Sequence, residues 1–211
     1  MNWINKILSL GKSKEEMLST NNKDLFSDIQ ENDICIDCGA NIGEVTAKMS
    51  ENGATVYAFE PNLHAFKKLK CRFQDFQRVH CLNKGVLDSD GQMPLYMHEH
   101  SDEDEVKWSV GSSLINTKGN VLKEKFKLVE IIDLSVFIEK LRAPIKLLKL
   151  DVEGVEVEIL NQLIDKGLHK SIEMILVETH DHKMPELKEK TDLLRQRIKK
   201  NNIKNINLNW I

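Results

Sequence analysis

The stretch that decides the fold reads Asp33-Ile34-Cys35-Ile36-Asp37-Cys38-Gly39-Ala40-Asn41-Ile42-Gly43-Glu44-Val45-Thr46. Ile34 to Ile36 form a short apolar run without helical periodicity, the pattern of a strand buried on both faces. The run stops at Asp37. Gly39, Asn41 and Gly43 follow at alternate positions, and Glu44 to Met49 reads as a helix. Strand, glycine-rich turn and helix in this order let backbone N–H groups and a helix N-terminus close on a ligand, because glycine has no Cβ in the way. The spacing is G-x-N-x-G and differs from the G-x-G-x-x-G of dinucleotide-binding turns.

The next strand strengthens this reading. Thr55-Val56-Tyr57-Ala58-Phe59 is β-branched and aromatic, and it ends at Glu60-Pro61-Asn62. Glu60 lies about 20 residues past the glycine turn, where a carboxylate in a βαβ unit meets the ribose of a bound nucleoside. Two acidic strand ends, Asp37 and Glu60, therefore flank one glycine turn. Farther along, Leu148-Lys149-Leu150-Asp151-Val152-Glu153-Gly154-Val155-Glu156 ends another apolar run in acids and a glycine.

In order and spacing these three motifs resemble those of the FkbM-type S-adenosylmethionine-dependent methyltransferases, over roughly residues 33–181. The resemblance implies a Rossmann-like class I methyltransferase fold, an α/β domain with a mostly parallel central sheet and helices on both faces. It implies S-adenosyl-L-methionine as cofactor. Asp37, Gly39, Asn41 and Gly43, with Thr46, would line its methionine part. Glu60, with Pro61 and Asn62, would hold its ribose, and Asp151 would stand beside its sulfonium. The acceptors usual in the family, sugar and natural-product hydroxyls, imply O-methylation of a small molecule or glycan.

Outside those motifs the chain alternates helix and strand patterns. Leu63 to Phe76 reads as a helix packing on the sheet through Phe66, Leu69, Phe73 and Phe76. Arg78 to Asn83 reads as the third strand, which places Asn83 near the adenine of a nucleoside. Gly85 to Gly91 reads as a turn, Gln92 to His98 and Lys127 to Ile132 as strands, and Asp133 as the N-cap of a helix through Leu141. Ile145 to Leu150 is the fourth strand, Val155 to Lys166 a helix, and Ile172 to Thr179 the fifth strand. Pro185 opens a basic helix to Lys200 whose lysines belong on a solvated face, and Ile203 to Asn209 is a final strand. Such alternation means a parallel sheet with its crevice at the carboxyl ends of the central strands. Asp37, Glu60, Asn83, Asp151 and Glu178 all fall on that edge.

Residues 1–30 read as an N-terminal helical cap, with Trp3, Ile4, Ile7 and Leu8 on one face and Leu25 to Ile29 as a second short helix; residues 31–211 form the methyltransferase domain. The acidic run Ser101 to Glu105 and the small-residue stretch Trp108 to Leu114 read as one loop. The 211 residues carry 30 Lys+Arg against 33 Asp+Glu, formally −3, which does not suggest a general nucleic-acid binder. No run of about 18 apolar residues exists, so no membrane span is expected. Met1 to Leu10 is too short and polar for a secretory signal, and the expected location is the cytoplasm. Oligomeric state is left open. Cys35 and Cys38 have C-x-x-C spacing, but Cys71 and Cys81 supply no second close pair for zinc, so all four cysteines are expected as buried free thiols.

The chemistry needs a proton acceptor if the methyl acceptor is a hydroxyl. Asp151, Glu153 and His180 are the candidates, with Glu153 and His180 expected slightly farther out, where an acceptor would lie. His180 reads either as a base or as a solvated histidine at a strand end. His180-Asp181-His182 resembles half a metal site, but no resident metal is expected. Two alternatives stand beside O-methylation: a nucleic-acid or other N-methyltransferase on the same fold, and a non-catalytic nucleoside-binding protein. The first should carry an N/D-P-P-Y/F-type motif after the fourth strand, and Asp151-Val152-Glu153-Gly154 is not one.

Overall fold

The computed structural model describes residues 25–98, 121–181 and 185–210. In chain order the elements are β1 (Ile34–Cys38), α1 (Glu44–Ser50), β2 (Thr55–Phe59), α2 (Leu63–Arg72), β3 (Val79–Leu82), β4 (Gly85–Leu87), β5 (Gly91–His98), β6 (Val121–Asp133), α3 (Leu134–Leu141), β7 (Ile145–Leu150), α4 (Glu156–Asp165), β8 (Ile172–Val177), α5 (Pro185–Lys200) and β9 (Ile206–Asn207). Six strands form one sheet in the order β3-β2-β1-β7-β8-β9, with every neighbouring pair parallel. The order reverses between β1 and β7. That is the topological switch point, and a parallel sheet opens its ligand crevice there.

Alternation along the strands sorts the side chains onto two faces. Ile36, Cys38, Phe59, Leu148, Leu150, Ile175 and Val177 join a core with Ile138 of α3, Ile159, Leu160 and Leu163 of α4, and Leu194 of α5. Cys35, Val56, Ala58, Leu147 and Leu176 face the other way, into a core with Met49 of α1, Leu69 and Phe73 around α2, and Trp210. Phe26 and Ile29 belong to this second core, so the part of the expected N-terminal cap that is described packs onto the domain. The rest of that cap, residues 1–24, lies outside the described residues, as do residues 99–120, where the acidic and small-residue loop is expected.

Helix starts follow local chemistry. Asn62 caps α2 by accepting from the His64 and Ala65 N–H groups at 2.9 and 3.3 Å. Asp133 caps α3 through the Val136 N–H at 3.1 Å. The described lysines of α5, Lys188, Lys190, Lys199 and Lys200, are solvent-exposed as expected.

Several boundaries differ from the sequence reading. Residues 85–87 are a strand, not a turn: β4 pairs parallel with the C-terminal end of β6, and β5 pairs antiparallel with β6, giving a second three-stranded sheet. Parallel pairing with a partner more than forty residues away leaves no local signal, and three residues are too few for periodicity. The second helix stops at Arg72, so Phe76 lies past it, half exposed, with its ring edge against Phe73. β8 ends at Val177, and β9 is only two residues long, because its ladder to β8 is that short.

Candidate active site

Asp37 and Lys149 are direct partners across the β1–β7 ladder, so their side chains share one sheet face beneath the switch point. Lys149 Nζ lies 3.4 Å from Asp37 Oδ1 and 3.3 Å from Asp151 Oδ2, and it donates to the Gly39 carbonyl at 2.6 Å. It also stands over the Trp210 ring, 5.8 Å from the centroid. Burial disfavours the ammonium, but Asp37 and Asp151 more than offset this and hold its pKa above the ordinary lysine value. Asp37 Oδ2 accepts from the Thr46 hydroxyl at 2.6 Å, and both residues are fully buried.

Gly39 has φ +78°, and a Cβ there would sit 1.8 Å from the Asp151 carbonyl oxygen. Only glycine lets the first turn meet the end of β7. Gly43 has φ +89° at the N-cap of α1, and its Cβ would strike Phe73 and Leu69 at 2.5 and 2.7 Å. Its evident task is to seat α1 on α2.

Asn41 also adopts a positive φ, +49°, and its N–H donates to Glu60 Oε2 at 2.8 Å. The other carboxylate oxygen accepts from the Asn62 N–H at 2.8 Å. Burial pushes the Glu60 carboxyl up to about 7, against the pull of those two backbone bonds. Asn83 Nδ2 bridges the Glu60 and Pro61 carbonyls at 2.8 and 3.1 Å. Beside them opens a cleft of about 280 Å³, walled by Pro61, Asn62, Asn83, Leu95, Leu128 and Val129. The second sheet thus supplies the far wall of the crevice.

His180 corrects the sequence picture most. It is 1% exposed, so it is neither a solvated strand-end histidine nor an outward one. Its Nδ1 lies 2.9 Å from Glu156 Oε1. Its Nε2 faces three more carboxylates: Glu153 Oε2 at 3.2 Å, Asp151 Oδ1 at 3.7 Å and Glu178 Oε1 at 3.7 Å. Burial disfavours the imidazolium, yet Glu156, Glu153 and Asp151 together raise the pKa above its usual value. Glu153 at φ +59° and Gly154 at φ +120° make a tight left-handed turn. That turn aims the Val152 and Gly154 N–H groups at Glu156 Oε1, 3.2 and 3.0 Å away. Asp181 pairs with Arg195 of α5 at 2.8 Å, and His182 lies outside the described residues.

Three residues escaped the sequence reading: Lys149, Glu156 and Trp210. Lys149 did leave a signal, as a charge inside an otherwise apolar central strand. Glu156 looks like an ordinary acid in a helical first turn, and Trp210 lies far away in sequence. Cys35 and Cys38 are buried free thiols as expected, whereas Cys71 is exposed and Cys81 half-buried. Burial pushes the Cys35 thiol up to about 12 and Cys38 also well above the ordinary range, which removes the thiolate that redox or zinc chemistry would need.

Fold and rim define a doubly wound α/β domain that gathers a glycine turn and buried carboxylates at its switch point, with an open cleft past the ends of β2 and β3. A methyltransferase FkbM domain matches residues 37–204. The match spans most of the chain, which belongs to the FkbM methyltransferase family and is an S-adenosylmethionine-dependent methyltransferase. No curated protein sequence matches the chain. Among solved structures it is similar to an rRNA methylase from Streptococcus thermophilus, with TM-score 0.46 and 14% identity over 89% of this chain and 80% of that one. It is also similar to a putative rRNA methylase from Clostridium thermocellum, with TM-score 0.43 and 13% identity over 85% of this chain and 81% of that one. Among the described residues no helix is long and apolar enough to cross a membrane.

Proposed function

We propose that this protein methylates a hydroxyl oxygen of a small-molecule or glycan acceptor. The carrying observation is the grouping of the Asp151 and Glu153 carboxylates around His180, directly beside the Gly39–Asp151 contact. In this reading Asp37, Gly39, Asn41, Gly43 and Thr46 build the wall that receives the methionine part of S-adenosylmethionine. Glu60 receives the ribose, and Pro61, Asn62 and Asn83 frame the adenine side of the cleft. The buried carboxylates suit a cation, and none of these residues forms the basic clamp that a phosphate would need. The cofactor supplies an electrophilic methyl group.

The chain's own work is to hold the acceptor in line and take its proton. Asp37 and Thr46 act through the wall, since Thr46 spends its hydroxyl on Asp37. Asn62 likewise spends its side-chain oxygen on the α2 cap and offers the cleft only its remaining surface. Of the three base candidates, Glu153 suits the role best. His180 is buried with a carboxylate at each ring nitrogen, so it is closed to an acceptor and serves to position the carboxylates. Asp151 has one oxygen held by Lys149. The four cysteines, held as free thiols, support a reducing compartment, and we keep the cytoplasm as the proposed location.

The test is transfer of isotopically labelled methyl from S-adenosylmethionine to a panel of sugars and hydroxylated small molecules, read by mass spectrometry. Label on oxygen supports the reading. Label only on ribosomal RNA or on a nitrogen, or cofactor binding without any transfer to an extract of the host, overturns it.

A further inference from the structure

We propose that Asp151, Glu178 and His180, with Glu153 beside them, bind one divalent first-row cation, best matched by Mn²⁺, which holds the acceptor hydroxyl. This departs from the expectation of no resident metal drawn from the sequence. His180 Nε2 is a buried polar atom that makes no hydrogen bond of acceptable geometry, and it points into a group of carboxylates. A buried nitrogen left this way costs about 1–3 kcal/mol unless something else occupies its lone pair.

The other ring nitrogen explains what that something is. Nδ1 is engaged by Glu156 Oε1 at 2.9 Å, and Glu156 is itself fixed by the Val152 and Gly154 N–H groups. A carboxylate on one imidazole nitrogen sets the tautomer and leaves the other as a metal ligand, the usual arrangement behind a ligating histidine. Glu156 is thus an orienting residue and not a ligand.

The distances agree. One oxygen or nitrogen from each of Asp151, Glu178 and His180 lies within 4.8 Å of the others. First-row cations hold such atoms at about 2.0–2.2 Å, which sets ligand-to-ligand separations of about 3–4.3 Å. The His180 Nε2 separations of 3.7 Å from both Asp151 Oδ1 and Glu178 Oε1 fall inside that range. Asp151 can serve without losing Lys149, because Lys149 holds Oδ2 while Oδ1 faces His180. Two or three carboxylates with one imidazole suit Mn²⁺ better than the sulfur-rich sets of structural zinc.

The Asp151 and Glu178 side chains remain 27% and 25% exposed, so the site has a side open to solvent. A hydroxyl bound there would be acidified by the cation. Its O–H bond breaks, the electron pair stays on oxygen, and the proton passes to the Glu153 carboxylate. This second half of the proposal rests on the O-methylation reading; the cation site itself does not.

The test is a titration of the purified full-length chain with Mn²⁺, followed by electron paramagnetic resonance. The expected result is one tightly bound ion per chain, displaced by Mg²⁺ or Zn²⁺. Glu178→Gln and His180→Ala should each weaken binding at least about tenfold, and Glu156→Gln about 10–100-fold. Glu130→Gln on the surface should change nothing. Circular dichroism checks folding, and Glu178→Gln stands in if His180→Ala does not fold. No stoichiometric Mn²⁺ binding, or binding indifferent to both Glu178→Gln and His180→Ala, overturns the proposal. Bound Mn²⁺ with no hydroxyl acceptor methylated would overturn only the O-methylation reading. Hydroxyl methylation that persists unchanged after chelation would overturn only the cation's role.

Discussion

Lys149 donates to the Gly39 carbonyl at 2.6 Å, so the central strand of the sheet grips the glycine turn that follows β1. The same ammonium is the counter-charge of Asp37, which is fully buried. Replacing Lys149 with Met would keep the volume but leave the buried Asp37 carboxylate with the Thr46 hydroxyl and no counter-charge. Breaking one side of such a pair costs about 3–5 kcal/mol, and removing both sides costs much less. Lys149→Met should therefore be destabilised by about that amount in urea unfolding, and Asp37→Asn/Lys149→Met should recover much of it. Equal stability of the single variant and wild type would show that the pair carries no weight.

The Gly39–Asp151 contact gives a second prediction, because two positive-φ glycines differ only in their surroundings. A Cβ at Gly39 meets backbone at 1.8 Å, whereas one at Gly167, φ +71°, meets nothing within 4 Å. Gly167→Ala should cost about 1–2 kcal/mol from conformation alone. Gly39→Ala must also push β7 away from the turn. It should cost more and weaken S-adenosylmethionine binding at least about tenfold by calorimetry, while Gly167→Ala binds as wild type.

Much of this arrangement was legible in the sequence. Apolar runs ending in Asp37, Glu60, Asp151 and Glu178 announced parallel strands, and parallel strands share a carboxyl edge, so their tips had to converge. What stayed hidden depends on partners distant in sequence. Lys149 looks anomalous in an apolar strand, but nothing local says that Asp37 and Asp151 neutralise it. His180 looks like any polar strand tip until Glu156, the first residue of α4, is seen behind it. β4 has too few residues for a period and exists only because β6 lies alongside.

If Glu60 receives the ribose as proposed, cofactor binding should depend on pH. Its carboxyl sits at about 7 instead of the ordinary 4.5 because it is buried. The sign follows directly. A raised pKa favours the protonated form in the ligand-free fold, so this group stabilises the fold below about pH 4.5 and loses that contribution as pH rises through about 7. Ribose hydroxyls donate to the ionised form, so binding runs the opposite way. S-adenosylmethionine affinity should rise between about pH 6 and pH 8, by up to about tenfold, and Glu60→Gln should bind weakly with a flat profile. Calorimetry across that range checks both. A wild-type affinity that falls with pH would remove Glu60 from the ribose.

Glu153 separates binding from chemistry. Its left-handed backbone, φ +59°, is an unfavourable conformation for a side chain with a Cβ, and it is held by the two N–H bonds to Glu156 that flank it. That geometry sets Glu153 Oε2 3.2 Å from His180 Nε2 and leaves the cofactor wall of Asp37, Gly39 and Glu60 to other elements. Buried, with carboxylates at both ring nitrogens, His180 is closed to an acceptor, and in the proposed reading the proton goes to Glu153. Glu153→Gln keeps the shape and removes the base. It should lower kcat by about 10²–10⁴ while leaving the cofactor Kd within about twofold. Single-turnover methyl transfer alongside calorimetry reads both quantities. A kcat unchanged by this substitution would take Glu153 out of the mechanism, and a lost Kd would reassign it to the cofactor.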